Sequence, residues 1–551
     1  MKVKLAESVF TGGAAVVFAA LCLAFLLPLG ASFSPLWAAD GEVGAASLFA
    51  SARIWKAAAF TLKQALCSML LALGVGVSAA FFTARRDFPG RRVLLSLSAV
   101  PLCVPPLLVA LGFVLFYGMQ GVCNRFLMQT FGLQNPPVTF LYSFWGIVIA
   151  HGFYNFPLVM KTCSDAWERL PSAERDAAAL LGAGKFRVFR TITLVQLLPA
   201  IASSGMIVFL YCFFSFVIVL LFGGVGTSTL EVEIYQAARA QLDFKSAAAL
   251  SVVETGIAFT VVFAYGFLER RSAESRGLSF DRAGRKKIRG AAELGAAVAC
   301  VSAVLLFFIG PFVSIAVNAF AEKAAGYHGG TGAAVFSFKN LYNLAAKASF
   351  RTAFGNTVAT ACASSALSVT AALFFASLLR SFDPGRTRVA LRTVPLLPMA
   401  VSSVVLGFGM TLLVRRGSAP VLVLAQAALT WPFALRQISA AMDRIPQAAL
   451  DAAAVLSPNR LDTVFRLYLP MSARSIVSAF GFCFAVSCGD ASLPLILAVP
   501  RFETLALYTY KLAGSYRFQE ACACGVVLAL ITVPVFALSA YRSDRRNTDD
   551  N

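Results

Sequence analysis

Leu170-Pro171-Ser172-Ala173-Glu174-Arg175-Asp176-Ala177-Ala178-Ala179-Leu180-Leu181-Gly182 and Ile445-Pro446-Gln447-Ala448-Ala449-Leu450-Asp451-Ala452-Ala453-Ala454-Val455-Leu456-Ser457 are two versions of one stretch. A shift of 275 residues superposes them. The same shift carries Ala150, Pro157, Ser164, Ala166 and Arg169 onto identical residues upstream. Downstream it carries Thr229-Leu230 onto Thr504-Leu505 and Tyr235 onto Tyr510. The chain therefore contains a duplicated unit. Each quoted stretch reads as a short helix with Pro near its start, where a missing N–H costs little. Glu174 and Asp176 favour the positive end of the first. Gly182 ends that helix, and Ser457-Pro458 ends the second. Their alanine faces allow close seating in a groove of a partner.

The sequence around these stretches is that of a membrane protein. The 551 residues are 58% hydrophobic and 13% charged, with mean hydropathy +0.75. Soluble domains carry about a quarter charged residues. Apolar runs recur at the length needed to cross a hydrocarbon layer about 30 Å thick. The alternating segments of about ten residues that build a β-barrel do not appear. Spans are expected near 10–32, 58–83, 93–118, 140–160, 200–224 and 246–268. The second set is expected near 291–318, 353–378, 389–414, 420–437, 476–499 and 520–540. The expected fold is an all-α polytopic membrane protein with twelve transmembrane helices. Because six is even, the two six-helix units run parallel. Residues 1–269 form the first unit, 270–290 a basic linker and 291–551 the second.

A net charge of +20 would suit a nucleic-acid partner, but its distribution favours loops on one side of a membrane. Arg85, Arg86, Arg91 and Arg92 follow the second span. Lys161, Arg169, Arg175, Lys185, Arg187 and Arg190 follow the fourth. Arg380, Arg386, Arg388 and Arg392 follow the eighth, and the linker is basic throughout. The positive-inside rule places these loops and both termini in the cytoplasm. Arg415 and Arg416 are a local exception. Met1 to Leu29 begins like a signal peptide, but its apolar stretch is longer than a typical h-region, so it reads as a retained first helix. The twelve cysteines are scattered and show no metal-ligand spacing.

The duplicated stretch resembles the EAA loop of ABC importer permeases, in which Glu-Ala-Ala is followed by Gly and then Leu-Pro. Asp176-Ala177-Ala178 and Asp451-Ala452-Ala453 stand at the acidic start, with Asp in place of Glu. Gly182 matches the family glycine, and Ser457 replaces it in the second copy. Leu469-Pro470 matches the closing pair. In the first copy Val195 takes that proline's place, and Pro199 follows four residues on. The resemblance implies that each loop is a coupling helix seated on an ABC ATPase subunit, expected as a dimer. ATP and Mg would then be bound by that partner, with no cofactor in this chain. Gly223-Gly224-Val225-Gly226-Thr227-Ser228 lacks the lysine of a phosphate-binding loop. Parting of the ATPase subunits would rock the two bundles and alternate access to a central pathway.

Two units in one chain are similar to the fused permeases of the thiamine and ferric-iron importers. Phe88-Pro89-Gly90-Arg91, Tyr117-Gly118-Met119-Gln120-Gly121, Ala150-His151-Gly152-Phe153-Tyr154-Asn155-Phe156-Pro157, Glu231-Val232-Glu233-Ile234-Tyr235-Gln236-Ala237 and Gly514-Ser515-Tyr516-Arg517 look most like the thiamine permeases. That resemblance implies an inner-membrane location, a substrate-binding protein as second partner, and thiamine or its phosphates as cargo. Ferric iron is the alternative. In such permeases the outer loops touch the binding protein, and Glu231, Glu233, Asp243, Lys511, Arg517 and Glu520 fall in the corresponding places.

Asp490 falls in the eleventh span, where an ionised Asp costs about 2.5–3.5 kcal/mol. It reads either as a counter-ion on the pathway or as a cap for backbone at a helix break near Gly489 and Pro494. Ser215 is its repeat counterpart, and both are candidate pathway residues. Glu254 is a second acid within a span. His151 reads as a satisfied core residue, with Gln426 as its counterpart. A transporter driven by an ion gradient is the rival class, and it would need more ionisable residues within the spans.

Overall fold

The computed structural model describes residues 2–37, 44–88, 90–96, 104–170, 173–224, 226–274, 286–288, 290–322, 335–381, 394–414, 416–457 and 460–544. Pro171, Ser172, Pro458, Arg415 and most of the 270–290 linker lie outside them.

Each of the twelve apolar runs forms helix. The first unit contains Lys2–Phe33, Ala52–Arg85, Pro106–Tyr117, Phe144–Glu168, Leu194–Phe213 and Phe244–Glu274. The second contains Ala291–Val304 continuing into Gly310–Phe320, then Ala348–Ser381, Ser403–Leu413, Ala419–Met442, Leu469–Gly489 and Phe518–Asp544. Among the described residues nine helices are long and apolar enough to cross a bilayer, and Cys22–Trp37 and Ser403–Leu413 are shorter apolar helices. The fourth span completes the twelve. It is long enough, but it carries the polar residues His151 and Asn155 and the charged pair Lys161–Asp165.

Four spans are interrupted, the eleventh where one reading of Asp490 allowed a break. The third is resolved as Arg91–Ser96 and Pro106–Tyr117, and the ninth as the 3-10 turn Val394–Ala400 and Ser403–Leu413. Pro105, Pro106 and Pro398 lack the N–H that would carry a helix through. The fifth breaks at Phe214-Ser215-Phe216 before the short helix Val217–Phe222. The eleventh breaks at Asp490-Ala491 before Ser492–Leu497. These last two breaks are repeat-related.

Glycines set the closest helix contacts. A Cβ on Gly76 would lie 2.6 Å from the Val159 side chain, and one on Gly152 would lie 2.6 Å from Leu71. Such small-residue seams let helices approach where lipid offers no hydrophobic drive. The two units interlock through the same device. The first span packs on Ser403–Leu413, and Gly310–Phe320 packs on Pro106–Tyr117. A Cβ on Gly409 would come within 1.8 Å of the Pro28 carbonyl, and one on Gly112 within 2.8 Å of the Pro311 carbonyl. Gly112 and Gly409 hold the same place in their helices, so the two crossings are counterparts. Arg86-Asp87 also pairs in parallel with Lys286-Lys287, and Arg86 forms an ion pair with Glu293.

Candidate functional site

The loop after the fourth span contains the helix Ala173–Leu180, and the loop after the tenth contains Gln447–Leu456. Gly182 ends the first in the left-handed region, with φ +81°. Its N–H donates to the Ala179 carbonyl, and the Ala183 N–H donates to Ala178, both at 3.0 Å. This is a Schellman cap, which favours glycine. Ser457 leaves its helix in extended conformation, with φ −87°, so the second copy has no need of glycine. Pro446 is the N-cap residue of its helix. Asp176, Ala177, Asp451 and Ala452 are exposed, and Ala178 and Ala453 are half-buried. The two copies thus present the same face.

Each loop helix ends in a bare apolar pair. Leu180 and Leu181 are 90% and 88% exposed, and Val455 and Leu456 are 85% and 79% exposed. Gln196, just inside the fifth span, donates to Glu174 and ties the first loop helix to that span. A π-helical turn follows each loop, at Phe189–Thr193 and Val464–Tyr468, again 275 residues apart. Pro470 stands in the first turn of Leu469–Gly489. Pro199 lies one turn deeper, inside Leu194–Phe213, so it does not take the place of Pro470.

At the other end of those spans, the breaks in the fifth and eleventh face one cavity of about 310 Å³. Ser215 and Asp490 both line it, with the aromatic residues Tyr154, Tyr211, Phe214, Phe216, Phe433 and Phe482. Asp490 takes the capping role that its sequence position allowed, and it also lines the cavity. Its Oδ1 accepts from Ser492 N at 2.9 Å and Leu493 N at 3.3 Å, capping the short helix. Its Oδ2 has no hydrogen-bond partner among the described residues.

Ser215 is held differently. Its hydroxyl pairs with His151 Nε2 at 2.6 Å, and His151 Nδ1 pairs with Gln64 Oε1 at 3.1 Å. Gln64 Nε2 donates to the Cys212 carbonyl at 2.6 Å. Gln64 Oε1 must then accept, which places hydrogen on Nδ1 and leaves Nε2 to accept from Ser215. His151 is thus a satisfied buried residue. Gln426, its counterpart, lines the cavity near Asp490 and donates to the Ser487 carbonyl at 3.2 Å. The oxygens Asn155 Oδ1 and Gln426 Oε1 lack partners among the described residues. Together with Asp490 Oδ2 they are three unpartnered acceptors on residues that line the cavity, each shielded by its neighbours. No lysine or arginine lines it among the described residues.

The family described as "Binding-protein-dependent transport system inner membrane component" matches residues 72–274 and 368–546. The chain belongs to that family. As a permease it is a multi-pass inner-membrane transport subunit, and its role is not enzymatic. Family membership displaces the gradient-driven alternative. The thiamine transport system permease protein ThiP of Brucella abortus (strain 2308) is 26% identical over 94% of both chains. ThiP of Escherichia coli (strain K12) is 25% identical over 92% of both. A putative 2-aminoethylphosphonate transport system permease protein, PhnU, of Salmonella typhi is 30% identical over 42% of this chain and 82% of its own.

The permease fold brings Ser215 and Asp490 together and leaves the loop residues on a separate surface. Sequence reasoning did not identify Gln64, Asn155 and Gln426 as parts of the site. A polar residue inside an apolar run was the available signal. One expectation is overturned. Glu231 does not stand exposed on an outer loop: it is buried, while Glu233 pairs with Arg53 at 2.7 Å.

Proposed function

We propose that this permease conducts thiamine, or a flat organic cation of similar size, from a binding protein into the cell. The observation that carries this reading is the cavity. Its lining combines aromatic side chains with Asp490, Asn155 and Gln426, whose unpartnered oxygens lie just behind the wall, and includes no cationic side chain among the described residues. A positively charged thiazolium ring would use Asp490 as counter-ion and stack on the aromatic wall. Its amino group would find Asn155 or Gln426. Pockets for small molecules begin at about 300 Å³, so the space suits a single small solute. An aminophosphonate would bring an anion into a cavity whose described lining contains an aspartate and no lysine or arginine.

In this reading Ala173–Leu180 and Gln447–Leu456 are seats for an ATPase dimer, which binds ATP and Mg. The residues engaged are Asp176, Ala177, Ala178 and Gly182 in one, and Asp451, Ala452, Ala453 and Ser457 in the other. Both termini then lie in the cytoplasm, and the binding protein docks on the opposite face. The unit boundaries are 1–269 and 291–551.

Asp490→Asn tests the cavity. Losing the charge should cut uptake of labelled thiamine about tenfold or more, because bonds to charged groups contribute about 1.5–3 kcal/mol. Membrane insertion should be unchanged. Undiminished thiamine uptake by the inserted variant would remove Asp490 from the pathway.

A further inference from the structure

Glu231 and Glu254 lie outside the cavity lining, and transport of the cargo gives them no role. Glu231 opens the helix Leu230–Tyr235, which packs along the sixth span, where Glu254 lies. Both residues are 1% exposed. Among the described residues none of their four carboxyl oxygens makes a hydrogen bond of good geometry. The helix Ser403–Leu413 of the second unit packs on Leu230–Tyr235, and its N-cap Ser402 reaches both carboxyls. Asp490 is a third acid within electrostatic reach of Glu231. Arg53 of the second span is engaged with Glu233, and the turn Val394–Ala400 brings no ionisable residue. Among the described residues no cation opposes the pair.

The fold itself does not require these acids. Where the first unit has Glu231 and Glu254, the second has Ala506 and Leu528, both fully buried. Where the second unit has Ser402 as helix N-cap, the first has Pro105. One of two related junctions is therefore apolar, and the other holds two enclosed carboxyls. Two carboxylates cannot both stay ionised in such a place without a counter-charge. Buried ionisable groups within membranes mark proton or ion sites.

We propose that Glu231, Glu254 and Ser402 form a proton-binding site at the junction of the two units. The site holds a proton while Ser403–Leu413 covers it and gives the proton up when the units part there. Parting admits water and stabilises both carboxylates. The covered state therefore binds more protons, and rising pH shifts the population towards the parted state. For one linked proton the shift is at most about tenfold per pH unit.

The test uses the assembled transporter in lipid nanodiscs. Infrared difference spectra between acid and alkaline buffer report neutral carboxyl groups. ATP hydrolysis across the same range reports the conformational balance. The variants are E231Q/E254Q and E231A/E254L, the latter carrying the residues the second unit already tolerates. A neutral-carboxyl band in the unmodified protein, absent from both variants, is expected. The ratio of unmodified to variant hydrolysis should change by up to about tenfold per pH unit through the titration, while the two variants share one profile. Failure of the Gln pair to insert leaves the Ala/Leu pair to decide. Superimposable pH profiles, or a band that survives both substitutions, would overturn the proposal. So would a sodium or potassium requirement that the variants abolish, which would make the occupant a metal cation.

Discussion

Gly182 and Ser457 occupy one place in the repeat and require different backbones. Gly182 has φ +81° and open space around its Cα. An alanine there meets no neighbour, so its cost is conformational, about 1–2 kcal/mol for a left-handed residue with a Cβ. Gly182→Ala should lower the unfolding temperature of the loop and reduce uptake, whereas Ser457→Ala should leave both near the original values. Thermal unfolding and uptake measured together check this. The sequence showed the glycine and its loss in the second copy, and the physical reason is the Schellman cap found only in the first. Asp490 was legible as an intramembrane acid with two candidate duties. Only atomic positions show that Oδ1 caps the short helix and that Oδ2 has no hydrogen-bond partner among the described residues. Glu231 was not legible, because its place after the fifth span suggested an outer loop. The chain instead turns back, and Leu230 N donates to Thr61 within the core.

The two loop helices carry bare apolar pairs, and the proposed reading makes them seats for a partner. An exposed leucine contributes about 1.5–3 kcal/mol when fully buried, and each helix ends in two large apolar residues almost wholly exposed. Replacing Leu180 and Leu181 with Ser should leave the folded chain as stable as before. It should also reduce recovery of the ATPase in detergent co-purification by tenfold or more. Equal recovery would show that the first loop helix is not a seat. The elements were legible where a long apolar run is unbroken, as in the second and eighth spans. The break in the fifth was not, since no proline or charge marks Phe214-Ser215-Phe216 and hydropathy is blind to backbone direction, whereas Gly489, Asp490 and Pro494 offered the break in the eleventh as one reading. The π-helical turns at 189–193 and 464–468 were equally silent. Their spacing repeats that of the loops, so each is part of the duplicated unit.

For the molecule as a whole, the duplication was the most readable feature, and parity alone made the two units parallel. How they interlock was not readable. Pro28 against Gly409 and Pro311 against Gly112 are contacts between distant segments, and neither pair has a sequence signature. These crossings pack each first helix on the opposite unit. In the proposed reading a displacement applied at the loop helices would be delivered to the helix breaks around the cavity, converting a partner's movement into alternating access. The most direct test is uptake of labelled thiamine by vesicles containing this chain and its ATPase, with the binding protein supplied. A protonophore and a sodium ionophore are present throughout. Uptake should persist through collapse of both gradients and stop when ATP is withdrawn or replaced by an analogue that cannot be hydrolysed. Uptake that vanishes with the gradients and ignores ATP would contradict ATP-driven import.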